Sequence, residues 1–384
     1  MFSSLRRRCF SVLRSAHPPV RKSVPVTCGS GGSVEVDLYN VDEFSTTKFL
    51  IVHLPSLPDS AHGVRQLPEF LHDWPVASIN YRWAAERPQA ASQSGEPVDD
   101  SVDWPVPIHD VAFAYRWIAE ALKPPASGRG GIYVYGSHLG AGLAMSLALT
   151  ASHPHKPFAV RGVAAYNGVY NWTMFLPGHK TRGSQSPRDA WRALHRANGN
   201  LRLDALHERL VALFQEPHNL FDPFASPSLF FHNPGLAIPE SFYQSAGFAG
   251  LVSAMKGQHD VSGETLGTSR RSHLVFPPRA TTLKIPETLL LHDAPSRVNV
   301  KDKVKDTRHT FMTQAAELAS FMRRSIQMVE LKERARWDEA AHQMAGEPER
   351  RVQVVEVGQE REELGLNDAG QQAVLDWLGR LNIR

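Results

Sequence analysis

The sequence predicts an α/β protein: a mostly parallel sheet covered by helices on both faces, with a large inserted lid region. Three observations carry this expectation. Short apolar runs such as Lys48–His53 (KFLIVH) and Thr288–His292 have no polar face, as strands buried inside a parallel sheet require. Longer amphipathic stretches alternate with them, which is the pattern of βαβ units. A chain of 384 residues, 42% hydrophobic and 21% charged, has an ordinary globular composition and can bury a large core without covalent staples.

Taken in order, Val34–Tyr39 alternates like an early strand, Lys48–His53 is a central strand, Leu67–His72 a short helix and Val76–Tyr81 the next strand. Arg87–Trp104 is a polar loop. Ile108–Leu122 is a helix, because Val111, Tyr115, Ile118 and Leu122 share one face. Ile132–Tyr135 is a strand, Ala141–Ala151 a helix and Val160–Tyr166 a strand. Gly131–Thr150 is long and apolar enough to suggest a membrane span, but its β-branched start and Gly-rich middle read better as buried strand, turn and buried helix. Between about 170 and 280 the alternation stops. Helical pieces are expected near Arg188–Arg196 and Leu203–Phe214, amid Pro- and Phe-rich runs whose aromatics Phe221, Phe224, Phe230 and Phe231 are candidates for exposure. The pattern resumes with strand Thr288–His292, a long helix Thr310–Ala335 with a solvated charged stretch at Glu330–Glu339, strand Arg351–Val357 and helix Ala369–Leu381. This divides the chain into a leader (1–22), a first core part (23–172), an inserted lid or cap (173–280) and a second core part (281–384).

The leader rests on charge. Residues 1–34 hold Arg6, Arg7, Arg8, Arg14, Arg21 and Lys22 and no acid, with Phe2, Leu5, Phe10, Val12 and Leu13 at roughly helical spacing. This is the pattern of a mitochondrial transit peptide, and Arg8-Cys9-Phe10 before Ser11 fits a matrix processing site. The formal net charge of +3 is too small to argue for nucleic acid, and comes from this end alone. Cys9 and Cys28 are the only cysteines, which excludes a disulfide framework or a cysteine zinc site. His153 and His155 have no acidic neighbour and read as a solvated turn. His109-Asp110 reads as a helix-start charge. Asn171-Trp172-Thr173 is a glycosylation acceptor only in a secreted chain. No cofactor-binding or metal-binding motif stands out.

The informative motif is Gly136-Ser137-His138-Leu139-Gly140 between a strand and a helix. A nucleophile elbow reverses the chain through a strained central residue, with small residues two before and two after it. Gly136 and Gly140 therefore centre the turn on His138. Ser137 is out of register by one, because its flanking positions would be the bulky Tyr135 and Leu139.

With Tyr81-Arg82 ending one strand, Trp104-Pro105-Val106-Pro107-Ile108-His109-Asp110 entering the next helix, the elbow at 136–140 and Asp222-Pro223 with Ser226-Pro227 before the late strand, the chain resembles the hormone-sensitive-lipase-like (fold-3) group of α/β-hydrolases. The resemblance covers about 45–170 well and 285–384 loosely. It implies a serine at the elbow, a Gly-rich oxyanion loop, an acid after the late strand and a histidine after the last strand. The chain departs at each place. The oxyanion-loop position reads His53-Leu54-Pro55-Ser56, and Pro55 has no N–H. The elbow centre is His138. Ser296 stands where the acid is expected, with Asp293 the nearest substitute, and no histidine follows His342. These departures imply a catalytically degenerate hydrolase-like protein of mitochondria that binds an unknown small ligand or a protein partner. Two alternatives stay open: a carboxylic-ester hydrolase rearranged around Ser137 or His138, and an interaction subunit of a mitochondrial assembly.

Overall fold

A computed structural model of the chain describes residues 21–41, 49–56, 67–83, 103–122, 130–176, 201–233, 275–294, 310–338, 344, 346–361 and 363–382. Eight strands form one sheet: β1 (Arg21–Thr27), β2 (Ser33–Tyr39), β3 (Phe49–Leu54), β4 (Val76–Asn80), β5 (Gly130–Ser137), β6 (Phe158–Tyr166), β7 (Glu287–Ala294) and β8 (Val352–Gln359). Their order is β1-β2-β4-β3-β5-β6-β7-β8. The pairs β1/β2 and β2/β4 are antiparallel, and the remaining pairs are parallel. The continuous apolar runs sit in the middle, where β3 and β4 are wholly buried.

One face of the sheet carries α1 (Val106–Ala121), α2 (Leu139–Ala151) and α5 (Phe311–Ser325), with the segment 201–233 beyond them. That segment holds the short helices α3 (Leu201–Glu208) and α4 (Leu210–Phe214). The other face carries the 3-10 turn Glu69–Leu71 and α7 (Asp368–Asn382), whose Trp377 is 2% exposed. The stretch that tempts as a membrane span is β5 followed by α2, a helix buried on nearly every side. No helix among the described residues is long and apolar enough to cross a membrane.

Several elements differ from expectation for physical reasons. Arg21 and Lys22, counted above with the leader, open β1, where Arg21 Nε lies 3.0 Å from Asp37 Oδ1. Leu67–His72 is one 3-10 turn, because Pro68 and Pro75 leave room for no more. Leu203–Phe214 divides at Arg209 into α3 and α4. The long helix expected over Thr310–Ala335 widens into a π turn at Ile326–Leu331, which brings Glu330 to the Ile285 N–H (3.0 Å) and to Arg351 (2.6 Å). A short helix, α6 (Glu347–Arg351), precedes β8. The helix expected at Arg188–Arg196, and the leader through residue 20, lie outside the described residues.

The segment 201–233 covers the ends of β4 and β6. Trp83, just past β4, donates from Nε1 to the Leu213 carbonyl at 2.7 Å, and Trp104 Nε1 donates to Asp222 Oδ2 at 2.9 Å. Phe214 packs edge-on to Trp83 and Trp172, with ring centroids 5.4 and 5.0 Å away. Ser146 on α2 donates to the Phe224 carbonyl at 2.8 Å. Of the four aromatics expected to be exposed, Phe221, Phe230 and Phe231 pack against the core and only Phe224 is exposed.

Candidate functional site at the strand-to-helix elbow

β5 and α2 meet at His138, whose backbone takes φ 50° and ψ −114°. Left-handed φ is costly for a residue with a β-carbon and persists only where the surroundings impose it. Here they do. The His138 N–H donates to the Tyr166 carbonyl at 2.8 Å and the Ala141 N–H donates to the His138 carbonyl at 3.2 Å. A β-carbon on Gly136 would stand 2.4 Å from the Gly140 carbonyl oxygen, and one on Gly140 would stand 2.3 Å from the Pro55 oxygen. Both glycines are thus demanded by close backbone approach. The imidazole of His138 is 2% exposed and lies edge-on between Tyr166 (5.6 Å) and Phe311 (5.9 Å). Ser137 ends β5 with its side chain on the same face as Tyr135, by the alternation of the strand.

The loop after β3 packs directly on this turn. Its carbonyls point inward: the Ser56 oxygen accepts the Leu139 N–H at 3.2 Å, and the Pro55 oxygen accepts the Tyr81 hydroxyl at 2.8 Å. In an elbow of this kind the N–H of the residue after the centre is one oxyanion donor, and the facing loop supplies another. Here the first is bonded to that loop, and Pro55 has no N–H to offer. His53 turns to the opposite face of the sheet from α2. It stacks on Tyr135 at 5.9 Å with Nδ1 2.9 Å from Ser78 Oγ, and burial pushes its imidazole down to about 3, so it is neutral. Leu54 is fully buried in the core.

Asp293 ends β7 beside the elbow and is 2% exposed. Its Oδ2 accepts the Tyr166 hydroxyl at 2.8 Å and the Asn167 amide at 2.9 Å, while its N–H donates to Asn167 Oδ1 at 3.0 Å. Tyr166 therefore touches the His138 ring and holds the Asp293 carboxylate. Ser296 lies outside the described residues. Past β8, the Glu360 N–H donates to the Ala294 carbonyl at 3.3 Å, and Asn367 caps the chain entering α7.

Sequence reasoning missed Tyr166, Asn167 and Phe311 as neighbours of the elbow. A polar Tyr-Asn pair ending an apolar strand was the available signal. It also misread Asp110, which does not cap α1. Asp110 is fully buried and takes the Arg82 main-chain N–H and Nε on Oδ2, both at 2.9 Å, and Nη2 on Oδ1 at 2.7 Å. The Arg82 and Asp110 of these motifs are thus one half-buried ion pair joining β4 to α1. It lines a cleft of about 250 Å³ with Cys28, Val106, His109 and Phe113. Burial, and then the Asp110 charge, push the Cys28 thiol up to about 11, so it is not a nucleophile at neutral pH.

No family model matches the chain, and no curated protein sequence matches it. Solved structures do. Carboxyl esterase 2 from the mycorrhizal fungus Tuber melanosporum superposes with a TM-score of 0.50 at 13% identity, covering 97% of this chain and 88% of that one. An esterase from Pyrobaculum calidifontis gives 0.49 at 14% identity, covering 95% and 86%. A hormone-sensitive lipase from a metagenome library gives 0.45 at 12% identity, covering 96% and 87%.

Proposed function

Taking the α/β-hydrolase fold of this chain as the premise, we propose that it is a catalytically degenerate member of that architecture, acting in mitochondria by binding rather than by hydrolysing esters. One observation carries the reading: the Leu139 N–H is bonded to the Ser56 carbonyl. A tetrahedral intermediate needs preorganised donors at that place, each worth roughly 3–4 kcal/mol. Here the facing loop presents carbonyl oxygens, which would repel an oxyanion. The other groups point the same way. The elbow centre is an imidazole, Asp293 is committed to Tyr166 and Asn167, and no histidine follows β8. An ester hydrolase must remove at least ~8 kcal/mol of barrier, and these groups have no evident means to do so.

In this reading the import leader ends before Arg21, which opens β1, with the core at 21–172 and 281–384 and the cap at 173–280. The ligand is an unknown small molecule or protein segment. The test is direct. The purified chain should not react with a fluorophosphonate probe, and should not turn over p-nitrophenyl esters above background. His138→Ser should not rescue activity, since the donors and base remain absent. Stoichiometric labelling abolished by Ser137→Ala would overturn the reading in favour of an ester hydrolase rearranged around Ser137. For localisation, residues 1–40 fused to a fluorescent reporter should enter mitochondria. A cytosolic signal in respiring cells would sink that part.

A further inference from the structure

The pole opposite the elbow carries another kind of surface. The N-terminal ends of β5 to β8 gather there, with the turn 152–157, the approach to β7 and the far end of the long helix. The Lys284 N–H donates to the Ser152 carbonyl at 3.1 Å, and His153 Nδ1 lies 3.0 Å from Thr282 Oγ1, so these segments form one face. Arg323 Nη2 on the long helix donates to the Val352 carbonyl at 2.8 Å, which places the end of that helix on the same pole.

Charge is sorted by depth at this pole. The inner carboxylates are paired: Glu330 with Arg351 at 2.6 Å, Glu287 with Arg350 at 2.8 Å, and Glu347 with Arg350 at 2.6 Å and Arg351 at 3.0 Å. The outer cations are not. Lys156, Lys284, Arg324, Lys332 and Arg336 are exposed and belong to no ion pair among the described residues. Arg334 is balanced by Asp338 at 3.2 Å, and among the described residues the exposed carboxylates here with no ion pair are Glu333 and Glu349. Among the described residues the exposed excess is therefore positive.

Exposed apolar groups lie near some of these cations: Met328 is four residues from both Arg324 and Lys332, and Trp337 follows Arg336. Trp337 is 89% exposed, Met328 51% and Val275 42%. Scattered surface aliphatics need no explanation, but a tryptophan almost fully in water beside unpaired cations does. Residues 332–337 are exposed throughout, so Trp337 stands on a projection rather than in a groove. A protein partner would typically cover about 800 Å² of complementary surface on each side. A projecting tryptophan directly after Arg336, on a segment that also carries Lys332, suits instead a flat, anionic, half-apolar layer, where tryptophan settles at the headgroup level and cations meet lipid phosphate.

We propose that this pole docks on an anionic phospholipid bilayer, with Trp337 and Met328 entering the headgroup layer and the unpaired cations facing the phosphates. The half-buried Glu330–Arg351 and Glu347 pairs lie where the helix that leads to this projection meets the sheet. The inference is independent of the elbow and of the proposed lack of catalysis.

The test is flotation of the full chain with vesicles of phosphatidylcholine alone and vesicles also containing phosphatidylglycerol. Binding to the second only, weakened by salt, is the expected result. The double variant Lys332→Glu/Arg336→Glu should weaken it at least about tenfold. Trp337→Ala should weaken it too, and both variants should melt with the parent. The basic leader can itself attract anionic lipid. Each variant is therefore compared also in a chain with Arg6, Arg7 and Arg8 changed to Gln. Binding unaffected by the pole variants, binding lost only with the leader arginines, or equal binding to neutral vesicles would overturn the proposal. So would capture of a protein partner, abolished by the same substitutions, with no vesicle binding at all.

Discussion

The long helix α5 joins two poles built on opposite rules. It begins with Phe311 against the His138 ring and ends with Arg323 on the Val352 carbonyl. At the elbow pole polar groups lie inside and are held: the Leu139 N–H by Ser56, Asp293 by Tyr166 and Asn167, Asp110 by Arg82. At the other pole carboxylates are paired beneath a layer of cations left in water. The difference teaches where this chain has capacity to spare. Closely fitted backbone leaves the elbow's donors committed, whereas the far pole has cations that pair with no described carboxylate.

Substitutions at the two poles should therefore fail in different ways. The largest effect is expected for Gly140→Ala, because the new methyl would meet the carbonyl oxygens of Pro55 at 2.3 Å and Leu54 at 2.4 Å. Neither is a flexible side-chain end, so we expect at least about 4 kcal/mol of lost stability in denaturant unfolding. A variant that folds like the parent would break the comparison. Asp110→Asn comes next. Losing the charge that accepts three hydrogen bonds from half-buried Arg82 costs about 2–3 kcal/mol, whereas a mere helix cap would cost about 1 kcal/mol. Unfolding measurements separate the two.

Acid should reach the poles at different pH. The His53 imidazole, lowered by burial to about 3 from 6.5, destabilises the fold as pH falls below 6.5, by about 2 kcal/mol at pH 5. Glu347, lowered from 4.5 to about 2 by the Arg350 hydrogen bond and then by Arg351, contributes stability above 4.5 that is lost as pH falls toward 2. That contribution is about 2–3 kcal/mol. His53→Gln should flatten the first slope and Glu347→Gln the second. If both variants flatten the same interval, the poles are not separate. The smallest expected effect is Trp337→Ala on stability, within about 0.5 kcal/mol by thermal unfolding, as for a side chain that touches little.

Much of this was readable in the sequence where local chemistry sets local structure. The apolar runs of β3 to β6 announce themselves, and Gly136 and Gly140 centre the turn on His138 before any coordinates are seen. What was not readable depends on contacts made across the chain. The bond from Leu139 to Ser56 is backbone to backbone over 83 residues and leaves no side-chain trace. Asp110 looked like a cap, because only the fold brings Arg82 to it. β1 was invisible because an edge strand with one buried residue, RKSVPVT, shows neither an apolar run nor a clean alternation. The π turn at 326–331 carries Glu330 to Arg351, a partner 21 residues away that the local sequence Ile326–Leu331 does not announce.

The ion pair at the start of β1 also sets a limit on trimming. Asp37 is 1% exposed and receives Arg21 at 3.0 Å, with Ser23 and Asn80 as its other donors. A chain shortened to begin at Ser23 would keep that carboxylate buried without its cation and would lose the first two rungs of the β1/β2 ladder. Any trimming of the N-terminus that keeps this ion pair must therefore stop before Arg21. The proposed cut before Ser11 respects that limit.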